Sequence, residues 1–385
     1  MMRKKNKKTA LFIVNYPAGY VLSSRARSFS SALGSEIVCM IIYKNKKMTR
    51  FNFLLKILKV IITSRPGLIY TIDGTLTEAV SLCAKLIFRI PVIVDRANTI
   101  EDHFREVLSV NSRTKLTSFL VIKFLSFVEF LILGSASAII CRGRNQTLIF
   151  KARFYNKNIF HCSESADIKK WTPKISSSLK KKYQINDSLT IGTMGTANDE
   201  TSSWNMPGYF FGLEVLEVLK LNPTLDLVGI ILPSLTSNPK AIRKLEKLAT
   251  TYGISDRLII IRNIDRKLIP EYLGLIDIAI STQLNTLSGD MRTTAKLPEY
   301  MACGKYVLTN NIGDAGFYLP HNMLVDNYPY YINSLDKKIK KIYYDRSQLK
   351  QGLELVEIAH KYCDIKKVSK EAAKVILGIL GGNNH

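Results

Sequence analysis

Metal-binding and disulfide-forming patterns are missing from this sequence. Its six cysteines form no C-x-x-C pair, and its five histidines are not spaced with them as a metal cluster requires. We therefore predict no bound metal and no disulfide framework. The thiols are expected to be buried in the protein, as is usual in a reducing cytosol.

Long uncharged apolar segments are also absent. Residues 1–17 have a positive head but only a short apolar core, which predicts a first strand and no signal peptide. Residues 116–140 come nearest to a membrane span, but charged residues interrupt them and no uncharged run reaches roughly 18 residues. We predict instead a buried helix that ends near Gly134 and a strand from Ala138.

Acidic residues are scarce in the first half of the chain. Residues 1–188 contain 32 Lys or Arg against 11 Asp or Glu, a net charge of +21, whereas residues 189–385 contain 23 against 20, a net charge of +3. A chain of 385 residues is long enough for two domains of ordinary size. The uneven charge therefore indicates two domains with different partners and argues against a uniformly basic nucleic-acid-binding protein.

Both halves alternate short apolar strands with helical segments. The predicted strands are 10–15, 36–43, 68–71, 91–94, 138–141 and 158–160 in the first half, and 189–192, 225–231, 258–261, 278–280 and 306–309 in the second. This alternation predicts βαβ units and therefore parallel sheets. Ligands are expected at the carboxyl ends of the strands in each doubly wound domain.

A polar stretch rich in Ser and Lys at 172–188 is the predicted linker. We place an N-terminal domain at 1–182 and a C-terminal domain at 183–360. Residues 361–385 are expected to form a helix that crosses back to the first domain.

The dinucleotide-binding fingerprint G-x-G-x-x-G is absent, but each half has a glycine loop after its first strand. Gly19 precedes a helix that carries Arg25, and Gly195 precedes Thr196. Glycine lacks the Cβ that would keep a phosphate away from the backbone. These loops are therefore candidate ligand contacts, and an ordinary turn is the alternative for each.

Residues 293–308, TTAKLPEYMACGKYVL, predict a short helix that begins near Ala295, ends at Gly304 and leads into a strand. Its apolar residues share one stripe, whereas Lys296 and Glu299 lie on the opposite side. Free amides at the start of such a helix favour an anionic ligand. An ordinary surface salt bridge between the two side chains is the alternative.

The C-terminal half resembles the nucleotide-sugar-binding domain of glycosyltransferases with the GT-B fold, in particular the large retaining family 4. The most specific segment, KLPEYMACGKYVLTNNIGDAG at 296–316, resembles the K-x-x-E-Y-M-A-x-G-K-x-V form of the donor-site helix in that family. Residues 128–143, VEFLILGSASAIICRG, resemble part of the acceptor domain more loosely. The resemblance implies an α/β protein with two Rossmann-like doubly wound domains facing across a cleft.

The resemblance also implies roles for individual residues. Glu299 looks like the glutamate that accepts hydrogen bonds from the ribose hydroxyls of the donor, and Lys296 would place a positive charge near the diphosphate. Gly195 and Thr196 are implied to hold that diphosphate with their backbone. The remaining implied donor contacts are Arg292, a second cation, and Arg262 and Asn263, at the base edge.

One position departs from the family. The usual motif is Glu-x7-Glu, whose first carboxylate binds the transferred sugar, but that position holds Met291. Asp290, one residue earlier, is the candidate replacement. The phosphate-binding Arg and Lys usually found after the first glycine loop are also missing, and Lys296 and Arg292 are expected to replace them.

The function implied is transfer of a sugar from a nucleotide-diphosphate donor to an acceptor, with retention at the anomeric carbon. The leaving diphosphate gains negative charge, so protein cations and oriented amides suffice and no cofactor is expected. Asp95 and His103 are candidates to assist proton transfer in the first domain. Asp95 could instead cap a helix, and His103 could be an ordinary surface residue.

The basic first domain suits an anionic membrane surface or a lipid-linked glycan acceptor. We therefore expect a peripheral enzyme at the cytoplasmic face of the membrane that acts in surface polysaccharide biosynthesis. Residues 51–65, FNFLLKILKVIITSR, could lie on anionic lipid, or could be a domain helix packed on a sheet.

Three other functions compete with sugar transfer. A nucleotide-sugar 2-epimerase shares the architecture but needs no acceptor site. A non-catalytic, glycosyltransferase-like scaffold would explain the missing first glutamate. A nucleic-acid-binding protein is suggested by charge alone, and the sequence does not interleave aromatic residues with its cations.

Overall fold

The computed structural model of the protein describes residues 8–35, 37–45, 47–97, 99, 115–197, 211–281, 283, 285–291 and 293–382. The described residues divide into two compact units, the first formed by 8–99, 115–164 and 365–382, and the second by 165–364. Each unit contains one six-stranded parallel sheet with helices beside it. The prediction of two doubly wound α/β domains is confirmed.

The first unit alternates strands and helices along almost its whole length. Its strands are β1 (Lys8–Val14), β2 (Ile37–Tyr43), β3 (Leu68–Ile72), β4 (Val92–Arg96), β5 (Ala138–Cys141) and β6 (Ile159–His161). Its described helices are α1 (Val21–Ala32), α2 (Arg50–Ser64), α3 (Thr75–Phe88), α4 (Lys115–Ser135), α5 (Arg144–Arg153) and the C-terminal α15 (Ile365–Gly381). The strand order is β2-β1-β3-β4-β5-β6, so the order reverses between β1 and β3.

Alternating side chains of β1 enter two different cores. Leu11 and Ile13 belong to a core on one face of the sheet, which also contains buried residues of α2, α3, α4 and α5. Phe12 and Val14 belong to a core on the other face, with α1 and α15. Strands that are buried on both faces have continuous apolar sequences, and the strands of this sheet could therefore be predicted from the sequence.

The second unit repeats the architecture with a different strand order. Its strands are β7 (Leu189–Gly195), β8 (Leu227–Pro233), β9 (Leu258–Ile260), β10 (Ile278–Ile280), β11 (Tyr306–Asn310) and β12 (Leu324–Val325). Its described helices are α6 (Ser177–Lys182), α7 (Leu213–Leu221), α8 (Pro239–Thr251), α9 (Ile269–Leu273), α10 (Leu287–Asp290), α11 (Lys296–Ala302), α12 (Ala315–Tyr318), α13 (Tyr331–Tyr344) and α14 (Gln351–Tyr362). The order β12-β11-β10-β7-β8-β9 reverses between β7 and β10.

The boundary between the units lies earlier than the sequence analysis places it. The first unit ends at Glu164, whereas the predicted boundary followed residue 182. Ala166 and Trp171 are buried in the core of the second unit, and Ala166 forms a parallel bridge with Asp364. The polar stretch 172–188 therefore lies inside the second unit, and α15 belongs to the first.

Every predicted strand is present, and the two-residue strand β12 was missed. The helix predicted to end near Gly134 is α4, and β5 begins at Ala138 as expected. The prediction that this helix is buried is wrong for one side, where Phe124 and Phe127 are 66% and 58% exposed. No helix among the described residues is long and apolar enough to cross a membrane.

The cysteines follow the prediction of buried thiols only in part. Cys141, Cys162, Cys303 and Cys363 are buried and not in disulfides, but Cys83 on α3 is exposed. Cys141 is buried because it lies in β5, an interior strand of the first sheet, whereas Cys83 lies on the outer side of a helix that covers the sheet.

Candidate functional site

Helix α11 forms as its residue pattern predicts. Leu297, Tyr300 and Met301 are completely or almost completely buried, so one side of the helix is fixed to the core of the second unit. The backbone N–H of Lys296 donates to the hydroxyl of Thr294 at 3.3 Å, and Gly304 ends the segment at φ 63°. Strand β11 follows directly.

A buried hydrogen bond connects α11 to the end of β7. The hydroxyl of Tyr300 accepts from the backbone N–H of Met194 at 2.8 Å. Burial raises the pKa of Tyr300, so this phenol stays neutral at physiological pH. The contact fixes the start of α11 beside the point where the strand order of the second sheet reverses.

Gly195, the last residue of β7, lies directly beside Lys296. Its φ of 150° is one that side-chain-bearing residues rarely adopt. A Cβ at this position would lie 3.2 Å from Cε2 of Phe211 and 3.7 Å from Nζ of Lys296. The lysine ammonium therefore lies over a backbone that has no side chain of its own.

The loops after β7 and β8 are joined next to this glycine. The backbone N–H of Ser234 donates to the carbonyl of Gly195 at 2.7 Å, and the hydroxyls of Thr196 and Ser234 are 2.9 Å apart. Thr196 is exposed. The ammonium of Lys296 and the ring of Phe211 thus lie beside the half-buried backbone of Gly195, and the exposed Thr196 follows it in the chain.

Glu299 forms an ion pair that the sequence analysis did not predict. Its carboxylate is almost fully buried and accepts from the guanidinium of Arg266, whose other face lies 5.5 Å from the ring centre of Trp171. Arg266 follows β9 in the segment RNIDR, four residues after the arginine selected by analogy. The position of a cation shortly after a strand could have indicated this residue. The sequence does not show, however, whether Arg262 or Arg266 contacts Glu299.

Arg262 pairs with a residue other than Glu299. The guanidinium of Arg262 pairs with Glu246 on α8, and both side chains are about half exposed. Asn263 has a φ of 58°, so the chain turns sharply after β9. A role for Arg262 at the base edge would require its guanidinium to leave Glu246.

The position of the family's first carboxylate is occupied by a buried thioether. Met291 is 2% exposed, whereas Asp290 is exposed at the end of the short helix α10. The carboxylate of Asp290 accepts from the backbone N–H of Gly313 at 3.2 Å, in the glycine loop after β11. Arg292 lies outside the described residues.

The first unit carries a cluster of charges at the carboxyl end of its sheet. Asp95 is 0% exposed and accepts from Nε of Arg25 at 2.7 Å, from Nε of Arg142 at 2.9 Å and from the hydroxyl of Tyr70 at 2.7 Å. Burial alone would raise the pKa of Asp95, but the two guanidinium groups hold it below its ordinary value. Asp95 is therefore a buried anion at neutral pH.

This geometry favours a structural role for two residues that were placed in the site. Asp95 has no exposed surface and lies within β4, and the segment it was predicted to cap lies outside the described residues. Arg25 is also buried and donates to the backbone carbonyls of Cys162 and Ser163 at 2.7 and 2.8 Å. Gly19 has a φ of 98° in the loop after β1. His103 lies outside the described residues.

Asp73, Arg142 and Glu164 were missed by the sequence analysis. Asp73 follows β3 at the point where the first sheet reverses its strand order, and its carboxylate lies 2.8 Å from the guanidinium of Arg142. Its φ of 42° is unusual for a residue with a side chain. Burial, and then the charge of Asp73, raise the pKa of Tyr16 to about 12. The position of Asp73 directly after the buried strand β3 could have indicated it as a candidate from the sequence.

A separate hollow of about 830 Å³ lies beside the last strand of the second unit. It is lined by residues that include His321, Asp326, Lys337 and Lys341, and not by Gly195 or the ionisable residues of α11. Among the described residues, no group of three or more His, Cys, Asp or Glu side chains is arranged to hold a metal ion.

Comparison with known proteins identifies the fold. No family model and no curated protein matches the sequence. Among solved structures, the chain is similar to sucrose-phosphate synthase from Thermosynechococcus elongatus, with a TM-score of 0.75 and 13% identity over 98% of this chain and 100% of that one. The chain has the GT-B fold.

Two further similar structures have different descriptions. HepE from Anabaena, in complex with UDP-glucose, has a TM-score of 0.69 and 16% identity over 96% of this chain and 99% of that one. A protein from Listeria monocytogenes described as a UDP-N-acetylglucosamine 2-epimerase has a TM-score of 0.57 and 12% identity over 97% of this chain and 96% of that one. At these identities the likeness shows the fold alone.

Proposed function

We propose that this protein transfers a sugar from a nucleotide-diphosphate donor, bound by the second unit, to an acceptor bound by the first. The observation that carries the proposal is the position of the Lys296 ammonium over Gly195, at the carboxyl end of β7 and beside the reversal of strand order. Doubly wound folds bind their ligands at this point. A diphosphate placed here meets a positive charge and a backbone that no Cβ shields.

The proposed chemistry needs that charge. Breaking the bond between the anomeric carbon and the phosphate oxygen leaves its electron pair on the diphosphate, which becomes more negative in the transition state. Preorganised cations and amides stabilise that change more than they stabilise the ground state. In the proposal, Lys296 supplies the cation and the Gly195 loop supplies the amides. Retention of configuration is part of the proposal and follows from the family resemblance.

Glu299 is proposed to bind the ribose of the donor. An ionised carboxylate offers about four acceptor sites, so it can accept from Arg266 and also from two neighbouring hydroxyls. The ion pair with Arg266 fixes the orientation of the carboxylate in a nearly buried position. Ribose binding is therefore compatible with the contact that the structure shows.

The acceptor and the cellular place of the reaction are also proposals. The net charge of +21 over residues 1–188 suits an anionic, lipid-linked glycan and an anionic bilayer surface. We propose a peripheral enzyme at the cytoplasmic face of the membrane that extends a surface polysaccharide. Because HepE binds UDP-glucose, UDP-sugars are the first donors to test.

Two alternatives are supported by particular observations. The Listeria neighbour favours a 2-epimerase, and the buried Met291 in place of the first carboxylate favours a scaffold without catalysis. An epimerase would convert its donor without any acceptor, whereas a transferase would release nucleotide diphosphate only when an acceptor is present. A scaffold would do neither.

Thermal unfolding in the presence of UDP-, GDP- and other activated sugars tests the proposal. A donor at 100 times its dissociation constant should stabilise the protein by roughly 2.7 kcal/mol. Candidate donors are then incubated with and without polyprenyl-diphosphate-linked glycans, and the release of nucleotide diphosphate is measured. The absence of stabilisation by any nucleotide sugar would reject the proposal.

A further inference from the structure

The outer side of helices α2, α3 and α4 is apolar and exposed. The three helices lie next to one another on the same face of the first sheet, because their inner side chains share one core. Their exposed large apolar side chains are Phe51, Leu55, Leu58 and Ile62 on α2, Leu76, Leu86, Ile87 and Phe88 on α3, and Phe119, Leu120, Val121, Phe124, Phe127, Phe130 and Leu131 on α4. We call this set the apolar face.

Helix α4 shows that the apolar face is not incidental. Its inner stripe of Ile122, Ser126, Glu129 and Leu133 is buried against the unit. A second stripe, Leu120, Phe124, Phe127 and Leu131, has the same helical spacing and points outward. A helix that covers a sheet in a soluble protein normally has a polar outer side, and large contiguous apolar patches indicate an interaction surface.

The charges around the apolar face all have one sign. Every charged side chain that the structure describes as exposed on these helices, or directly after them, is a cation, and these are Arg50, Lys56, Lys59, Arg65, Arg89 and Lys123. Helix α2 contains no acidic residue. The only acids of α3 and α4 are Glu78 and Glu129, and both are buried in ion pairs with Arg96.

We propose that the apolar face inserts into the interface of an anionic phospholipid bilayer. Phenylalanine and aliphatic side chains insert at the boundary between the headgroups and the acyl chains of a bilayer. Lysine and arginine at the margins of the apolar face can then contact the phosphates of the headgroups. A second copy of this chain is a poorer occupant, because two such faces would bring like charges together without any acid to neutralise them. The proposal rests on the proposed function of a peripheral membrane enzyme, and it identifies the surface by which the protein binds the membrane.

The insertion depends on the outward aromatic residues and can be tested without changing the core. We compare the wild type with Phe124→Ser combined with Phe127→Ser in flotation with vesicles of phosphatidylcholine alone and with added phosphatidylglycerol. The wild type is expected to bind the anionic vesicles and to keep part of its binding in 1 M salt, because apolar insertion is not screened. The double variant should lose roughly tenfold or more in its partition coefficient.

A matched control removes exposed aromatic residues from another surface. Tyr330→Ser combined with Tyr344→Ser changes two side chains, 67% and 78% exposed, at the ends of α13 in the second unit. This control should bind vesicles like the wild type. A second pair, Lys56→Glu with Lys59→Glu, should remove the preference for anionic over neutral vesicles, whereas Arg243→Glu with Lys247→Glu on α8 should preserve it.

Three results would overturn the proposal. The first is an absence of vesicle binding by the wild type, and the second is equal vesicle binding by the wild type and the Phe124 and Phe127 double variant. The third is a wild-type dimer in light scattering that added lipid leaves unchanged and that the double variant does not form. Thermal stabilisation by nucleotide sugars is measured on every variant. Because the substitutions at Phe124, Phe127, Lys56 and Lys59 lie outside the second unit, their loss of vesicle binding with unchanged donor binding separates this proposal from the proposed function.

Discussion

The carboxyl ends of the two sheets have similar topology but differ in how far their charged side chains are buried. In the first unit, Asp95, Arg25 and Arg142 are all at most 3% exposed, and each charge is paired with another. In the second unit, the Lys296 ammonium lies over a glycine backbone, next to the exposed Thr196. The first arrangement is a buried network of ion pairs, whereas the second places a cation beside a half-buried glycine backbone.

This difference shows why a charged residue after a buried strand has two possible meanings. The sequence pattern PVIVD in the first unit and the motif around Lys296 in the second both predict a site residue. Burial distinguishes them, because the carboxylate of Asp95 has no exposed surface, whereas Lys296 is half-buried. The comparison makes distinct predictions for the two regions.

The largest effect is expected on the stability of the first unit. Asp95→Asn removes the anion that faces two buried guanidinium groups, and leaving a buried charge unpaired typically costs about 3–5 kcal/mol. Urea unfolding should show this loss in free energy of unfolding. Asp290→Asn, an exposed carboxylate in the second unit, is the control and should stay within about 0.5 kcal/mol of the wild type.

Lys296→Gln should affect donor binding without affecting the fold. The variant removes the cation beside Gly195, and we expect the dissociation constant for the preferred nucleotide sugar to rise about 10- to 100-fold, or roughly 1.4–2.8 kcal/mol. Calorimetric titration measures it, with Lys247→Gln on α8 as the control. An unchanged dissociation constant would remove Lys296 from the site.

Glu299→Gln should weaken donor binding about tenfold. The amide keeps the shape of the side chain but loses the charge that makes its hydrogen bonds to hydroxyls strong. The comparison of UDP with 2′-deoxy-UDP sharpens this prediction. If Glu299 binds the ribose, the wild type should prefer UDP, and the variant should show a smaller preference.

The stability of the first unit should decline in acid because of Asp95. The pKa of this carboxyl is below its ordinary value in the folded protein, so its stabilising contribution is present above the unfolded pKa of about 3.9 and is lost as the pH falls through the folded pKa. Free energies of unfolding measured from pH 7 down to about pH 2 should differ by a constant amount above about pH 4 and converge below it for the wild type and Asp95→Asn. Parallel curves would contradict the assignment of a buried anion.

Arg262→Ala should have the smallest effect. Its ion pair with Glu246 is about half exposed, and such pairs contribute about 0–1 kcal/mol. The donor affinity should change less than twofold, in contrast to Arg266→Ala, which removes the partner of Glu299. The reverse ranking of these two arginines would restore the assignment made from sequence.

Much of the fold was predictable because its strands are buried on both faces. A run such as LFIV in β1 can belong only to an interior strand in a chain of alternating elements, and helix α11 could be placed by its apolar stripe and Gly304. The two-residue β12 carries too little pattern to be found. The unit boundary was placed too late because the polar stretch 172–188 is anchored by Trp171, whose burial depends on distant residues.

The site was predictable only where the chain itself brings residues together. Lys296 and Glu299 share one helix, and Gly195 begins a loop after a strand. The ion pairs Arg266 with Glu299 and Arg142 with Asp73 join residues far apart in sequence. The outward apolar stripe of α4 was missed because a second apolar side of a helix looks in sequence like a fully buried helix.

Hydrogen exchange of the backbone amides with and without the preferred nucleotide sugar tests the central claim most directly. If the diphosphate binds over Gly195, protection should increase at 193–197 and at 293–297, and should not increase at the hollow lined by Lys337 and Lys341. Protection confined to that hollow or to the first unit would contradict the account.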